Sequence, residues 1–237
     1  MTEERYDLQA AAAWILGHAR NTGVPVLPGQ IREKTAGECT AEELRLVAEA
    51  GQAAGLKLYP FKLGTQRLAR TQRTLGFLRS LNFETMLDVG SGRGVFLIPF
   101  MKEFPQVKIT SLDLLDKRVS FLNELADGGF TQLHAERKDI CDRPFPDGSF
   151  DVVTLLEVLE HIPAVEKAVA AAVGMAKQYV VVTVPSKPDS NPEHIHLLTK
   201  SRLTRMFSDA GCTRLHFDGV EGHLFMVAAA GRNEKRG

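Results

Sequence analysis

The chain has 237 residues, 44% hydrophobic and 24% charged, and its 29 basic and 29 acidic side chains cancel to a formal net charge of zero. This is ordinary globular composition, long enough for one sizeable domain with a smaller attachment. The charge balance gives no support to a protein that coats phosphate backbones. Three scattered cysteines (Cys39, Cys141, Cys212) without a Cys-x-x-Cys pair argue against a disulfide framework and a thiolate zinc site, and fit a reducing compartment.

Met1 to Asp7 is charged and lacks the apolar core of a secretory signal, and no apolar run approaches the roughly 18 residues of a membrane span. The expectation is a cytoplasmic protein without membrane association. Residues 6–20 carry Leu8, Ala11, Ala12, Ile15 and Leu16 at helical spacing. Gly23-Val24-Pro25 and Leu27-Pro28-Gly29 then break the chain. Thr40-Ala41-Glu42-Glu43 has the pattern of a capping box, opening a helix through Ala54 that Gly55 ends. A further helical stretch, Thr65 to Leu81, sets Arg67, Arg70, Arg73 and Arg79 opposite Leu68, Leu75 and Leu78. Without interleaved aromatic residues, this series reads as a solvated face rather than a nucleic-acid contact.

From residue 85 strand-like and helical runs alternate. Strands are expected at Thr85–Val89, Lys108–Leu112, Phe130–Glu136, Val152–Leu156 and Tyr179–Val184, with helices at Phe96–Phe104, Lys117–Ala126 and Ala164–Ala176. Such alternation predicts right-handed crossovers and a largely parallel sheet. A helix at Ser201–Ala210 follows. Thr213–Asp218 and His223–Ala229, joined by Gly219–Gly222, are close enough to pair as a hairpin. The fold class is therefore α/β, a seven-stranded mostly parallel sheet with an antiparallel last strand and amino-terminal helices. The expected division is a helical segment over 1–66, the main domain over 67–230 and a frayed polar tail over 231–237.

The sharpest motif is Met86-Leu87-Asp88-Val89-Gly90-Ser91-Gly92-Arg93-Gly94, an apolar strand that breaks into alternating glycines just before a helix. Glycines between a strand's carboxyl end and a helix's amino end let backbone approach a nucleotide-like ligand. The spacing is not that of the dinucleotide fingerprint, and an acid stands two residues before the first glycine. Here, and over about residues 70–230, the sequence resembles the class I S-adenosylmethionine-dependent methyltransferases, whose fold is Rossmann-like.

The resemblance implies that Gly90, Ser91, Gly92 and Gly94 pack against the methionine portion of S-adenosylmethionine and that Asp88 helps hold its charged amino acid end. Asp113, nineteen residues beyond Gly94, would accept from both ribose hydroxyls, with Leu114 beside it. NAD enzymes use the same device, so Asp113 alone does not choose the cofactor. In Lys138-Asp139-Ile140 the match places Asp139 at the adenine amino group and Ile140 on the ring, and it adds Glu157 to the cofactor residues. Taken singly, the glycines form a tight turn, Asp113 a helix cap and Asp139 a solvated acid; their order along the chain carries the assignment.

Methyl transfer from a sulfonium is an in-line displacement, so the protein mainly aligns the acceptor, with a base only where a proton must leave. Glu157-Val158-Leu159-Glu160-His161 would place Glu157, Glu160 and His161 on one face of a helical turn, and His194 and His196 follow the fifth strand. Together they are candidate ligands for a divalent metal such as magnesium. The Glu-x-x-Glu-His element is similar to that of the small-RNA 3′-terminal 2′-O-methyltransferases and the ubiquinone-pathway O-methyltransferases, where a metal polarises acceptor hydroxyls. The other readings are metal-free: His161 as base or cofactor contact, and His194 or His196 bonding a loop. The expected function is O-methylation of a small-molecule acceptor, with His161 as catalytic candidate and the amino-terminal helices as a cap over the acceptor pocket. The alternatives are a metal-assisted RNA 2′-O-methyltransferase and a non-catalytic cofactor-binding regulatory module.

Overall fold

A computed structural model of the chain describes residues 6–231. Met1–Arg5, and all of the expected tail except Gly231, lie outside the described residues. Seven strands form one sheet: β1 (Thr85–Val89), β2 (Lys108–Asp113), β3 (Leu133–Arg137), β4 (Phe150–Leu156), β5 (Ala176–Pro185), β6 (Arg214–Val220) and β7 (His223–Ala229). Their order is β3-β2-β1-β4-β5-β7-β6. The first five run parallel, and β7 lies antiparallel between β5 and β6. This is the α/β sheet expected from the sequence. The chain moves outward from β1 to β2 and β3, then returns to β4 on the other side of β1. The carboxyl ends of β1 and β4 therefore flank the topological switch point, where open α/β sheets bind ligands.

Neighbouring residues of each strand point to opposite faces, and both faces are covered. Met86, Ile109, Val152, Val181 and Phe225 pack towards α5 (Ala69–Leu78), α6 (Leu97–Glu103) and α7 (Asp116–Asp127). Leu87, Leu112, Val153, Val182 and Met226 pack towards α8 (Val165–Met175) and α9 (Lys200–Asp209). Burial on both sides explains why β4 and β5 read as nearly continuous apolar runs. Several boundaries differ from expectation, with β4 and β5 starting earlier, at Phe150 and Ala176. β3 starts at Leu133, because the Phe130 amide donates to Leu125 O at 3.3 Å and so closes the end of α7. The helix expected over 65–81 is two, α4 (Leu63–Gln66) and α5, separated where Leu68 takes an extended ψ of 138°.

The amino-terminal helices are α1 (Leu8–Thr22), α2 (Gly29–Arg32) and α3 (Ala41–Ala53). The Thr40 hydroxyl accepts from the Glu43 amide and the Glu43 carboxylate from the Thr40 amide, so the capping box forms. α1 is buried along Ala10–Ala13 and at Ile15, Leu16 and Ala19, in the same cluster as one face of the sheet. Its partner is α7. The Trp14 indole donates to Glu124 Oε2 at 2.8 Å, and Arg20 Nη1 donates to Asp127 O at 2.5 Å. Lys102 pairs with Asp7 at 2.9 Å. Glu124, Asp127 and Lys102 all stand in the last turns of α7 and α6, which crossover geometry places at the amino edge of the strands. The helices α1–α3 are thus an outer layer on the flank of the sheet, and the cap expected over the acceptor pocket is not where they stand. What reaches the carboxyl edge is the segment after them: the Tyr59 ring lies 5.1 Å from the Arg93 guanidinium of the glycine loop.

The α1–α7 contact depends on two glycines. A Cβ on Gly17 would collide with the Glu124 carbonyl, and one on Gly128 with the Ala13 carbonyl. Both obstacles are backbone and cannot swing aside, so Gly128→Ala is expected to lower stability by about 1–3 kcal/mol in urea unfolding. An unchanged midpoint would show that the two helices do not pack this closely.

Candidate functional site

The site lies at the carboxyl edge. After β1, Gly90, Gly92 and Gly94 take φ of +68°, +58° and +71°, conformations that disfavour any side chain. At Gly90 a Cβ would also come within 2.6 Å of Val158 Cγ2. The Gly90 amide donates to Leu112 O at 2.7 Å, and the Ser91 and Ser111 hydroxyls are 2.6 Å apart, so the loop is tied to β2. The result is a glycine cradle with open backbone at the switch point, which fits close approach of a nucleoside cofactor.

Asp88 is buried, and its Oδ1 accepts from the Thr154 hydroxyl of β4 at 2.6 Å. Burial pushes its pKa up to about 6, opposed by hydrogen bonds from Ser91 and Thr154. Asp113 is also buried; its Oδ1 accepts from the Leu115 amide at 3.0 Å and its Oδ2 from Arg118 Nη1 at 3.3 Å. Leu114 beside it is 58% exposed, an apolar surface next to the acid expected to hold a ribose. Asp139 accepts from the Cys141 amide at 2.8 Å and opens a 3-10 turn, with Ile140 buried in the cluster on the α8 face. These residues and the glycines share one edge of the sheet.

On the acceptor side the local geometry departs from a helical turn. Glu157 takes φ +58°, a left-handed conformation costly for a residue other than glycine. Only after it does a 3-10 turn form, Leu159–His161. Glu157 therefore leaves the face it was expected to share with Glu160 and His161, and its Oε2 meets His223 Nε2 at 3.0 Å. His223 escaped the sequence reading because it is the first residue of a strand. Only the antiparallel entry of β7, which pairs His223 with Pro185, carries it to this edge.

Glu160 is fully buried, and neither of its carboxylate oxygens has a hydrogen-bond partner among the described residues. Burial raises its pKa to about 8, with the Glu157 charge acting in the same direction. The carbonyl of the same residue accepts from the Ile195 and His196 amides at 3.0 and 3.3 Å, which fastens the 192–196 loop across the turn. His194 is thereby brought to His161, with ring centroids 4.7 Å apart. His161 Nδ1 faces Glu193 O at 2.9 Å, and His194 Nδ1 faces the Asp189 carboxylate at 2.8 Å. Each contact calls for an Nδ1–H donor and leaves Nε2 as the free lone pair. The ligand atoms of Glu160, His161 and His194 lie within 4.8 Å of one another. His196 turns away, with Nε2 at 3.1 Å from Ile162 O and Nδ1 at 3.4 Å from Arg202. Of the five residues expected around a metal, the structure gathers Glu160, His161 and His194.

Comparison with known proteins bears on the family and the fold. Residues 87–182 match a family described as a methyltransferase domain. Over 74 residues the chain is 38% identical to the ribosomal RNA small subunit methyltransferase G of Leuconostoc mesenteroides, covering 30% of this chain and 31% of that one. Over 87 residues it is 38% identical to the Staphylococcus carnosus protein of the same name, covering 34% and 36%. The chain thus matches about a third of the length of these two relatives. A solved S-adenosylmethionine-dependent methyltransferase from Aquifex aeolicus superposes with a TM-score of 0.56 at 20% identity, over 68% of this chain and 89% of that one. Residues 87–182 thus match a methyltransferase domain, and the sheet has the Rossmann-like fold of the solved S-adenosylmethionine-dependent methyltransferase.

Asp88 yields a pH test. Its pKa rises from 3.8 to about 6 on folding, so the neutral acid is favoured in the native state. That contribution is complete below about pH 4 and is lost as pH rises through about 6, at a cost of up to about 3 kcal/mol at neutral pH. Asp88→Asn, whose side-chain carbonyl can still accept from Thr154, is expected to raise the melting temperature at pH 8 and to lose that advantage at pH 4. An equal gain at both pH values would contradict the buried, ionisable state described for Asp88.

Proposed function

We propose that the protein methylates a hydroxyl oxygen of a small-molecule acceptor, using S-adenosylmethionine as donor and a divalent cation such as magnesium at Glu160, His161 and His194. The observation that carries this reading is the Glu160 carboxylate, buried without a partner and facing two imidazoles whose Nδ1 atoms are already engaged. Buried carboxylates are ordinarily paired, hydrogen-bonded or metal-bound. Histidine ligands are ordinarily fixed through their second nitrogen by a carbonyl or carboxylate, as His161 and His194 are here.

S-adenosylmethionine, when bound, supplies an activated methyl group; a divalent cation supplies Lewis acidity that favours loss of a hydroxyl proton. The chain's own residues do the rest. The glycine loop with Ser91 cradles the amino acid end, beside the buried Asp88. Asp113, oriented by the Leu115 amide and Arg118, takes the ribose hydroxyls, with Leu114, Asp139 and Ile140 around the base. Glu157, braced by His223, closes the cofactor side of the acceptor space. His161 Nε2 either ligates the cation or takes the acceptor's proton. In this reading residues 67–230 carry the reaction and residues 1–66 buttress it from the flank.

A second reading, an RNA hydroxyl as the acceptor, is supported by the relatives named for ribosomal RNA. It requires RNA binding that weakens steeply with salt. Release of S-adenosylhomocysteine from a panel of hydroxylated small molecules and from RNA separates the two readings, and turnover of any acceptor excludes a non-catalytic module. Small-molecule turnover should stop on chelation and return with added Mg²⁺. Glu160→Gln should weaken Mn²⁺ binding in calorimetry by at least about tenfold while S-adenosylhomocysteine affinity stays within about twofold. Full activity in chelator, or Mn²⁺ binding untouched by Glu160→Gln, would overturn the metal-assisted reading.

A further inference from the structure

Of the four arginines between residues 67 and 79, two are committed to the fold. Arg79 pairs with Glu103 through Nε and Nη2. Arg73 donates to Asp218 Oδ2 at 2.9 Å, and its guanidinium lies 4.6 Å from the Phe225 ring centroid. Arg67 is exposed. Arg70 differs from all three: it is half-buried, and its guanidinium has no hydrogen-bond, ion-pair or ring partner among the described residues.

The packing of α5 shows where Arg70 stands. Phe77 meets Tyr179, whose strand partner is Ala229 at the far end of β7, with ring centroids 5.4 Å apart. Arg73, about one turn nearer the start of α5, lies at the level of Phe225 and Asp218. One turn further back, roughly 5 Å along the axis, comes Arg70, at the level of His223 and Pro185. That level is the carboxyl edge, where His223 holds Glu157. A half-buried guanidinium without an anion has lost hydration and gained no pair, an arrangement that suits an oxyanion arriving from outside.

We propose that Arg70 is the residue that recognises the acceptor, gripping a single carboxylate or phosphate-like group on it while the acceptor's hydroxyl lies towards Glu160, His161 and His194. This rests on reading that cluster as the acceptor site. The planar fork of a guanidinium matches such an oxyanion with two parallel hydrogen bonds. A single half-buried guanidinium at this edge suits one anionic group, whereas a nucleic-acid backbone calls on several cations. Here Arg73 and Arg79 are already paired.

The test uses the full chain saturated with S-adenosylhomocysteine and Mn²⁺, titrated by calorimetry with catechol, 3,4-dihydroxybenzoate and 3,4-dihydroxyphenylphosphonate. The three probes share the vicinal hydroxyls and differ in the added group, which separates carboxylate from phosphate-like recognition. At least one anionic probe should bind about tenfold or more tighter than catechol. Arg70→Gln should bring it down to the level of catechol, Arg70→Lys should keep part of the preference, and retained S-adenosylhomocysteine affinity shows that both variants fold. Equal affinities for the three probes in the unsubstituted protein, including no measurable binding of any, overturn the proposal. So does a preference that survives Arg70→Gln, or salt-dependent binding of a single-stranded RNA that Arg70→Gln abolishes. Mn²⁺ and cofactor titrations on the same samples separate the two claims: if both bind without discrimination among the probes, Arg70 alone is wrong, and if Mn²⁺ fails to bind, the metal-assisted reading falls.

Discussion

Glu160 imposes the constraint around which the carboxyl edge is arranged. Its carbonyl accepts from the Ile195 and His196 amides and so fixes the loop after β5, while its carboxylate stays buried without a partner. An unpaired buried carboxyl is among the more costly groups a fold can hold, by several kcal/mol if charged. The main-chain bonds do not relieve that cost; they aim it, by bringing His194 and His161 against the carboxylate. A fold that keeps so unfavourable a group, over-determined by its surroundings, resembles a binding site more than a structural joint.

Asp88 shows what a partnered acid looks like in the same sheet. It is as deeply placed, yet Thr154 from the neighbouring strand donates to it, and its pKa rises only to about 6 against about 8 for Glu160. Both acids stand just past or at the ends of the central strands β1 and β4, on either side of the switch point. The donor side is satisfied by the protein's own hydrogen bonds. In the proposed reading, the Glu160 carboxylate and the Arg70 guanidinium on the acceptor side are completed by ligands.

Much of this was legible in the sequence where the signal is local. The alternating glycines, the capping box at Thr40 and the apolar runs of β4 and β5 each follow from near-neighbour chemistry, and the parallel sense of the first five strands follows from the alternation of elements. What escaped depends on contacts between distant residues. The outer layer α1–α3 rests on Gly17 and Gly128 meeting backbone 107 and 115 positions away, which no helical periodicity displays. His223 reaches the site only through the register of β7 on β5. Glu157 was placed on a helical face because its spacing allowed it, but its left-handed backbone turns it towards His223 instead. The spacing sets the arginine series on one face, and packing divides it into two structural ion pairs, an exposed side chain and a half-buried one without an ion-pair partner among the described residues.

The most direct measurement of the central claim is anomalous diffraction at the manganese edge from crystals of the full chain grown with S-adenosylhomocysteine and Mn²⁺. The account predicts one strong peak coordinated by a Glu160 oxygen and Nε2 of His161 and His194, at roughly 2.0–2.3 Å. Ordered cofactor with no peak at that cluster would contradict it.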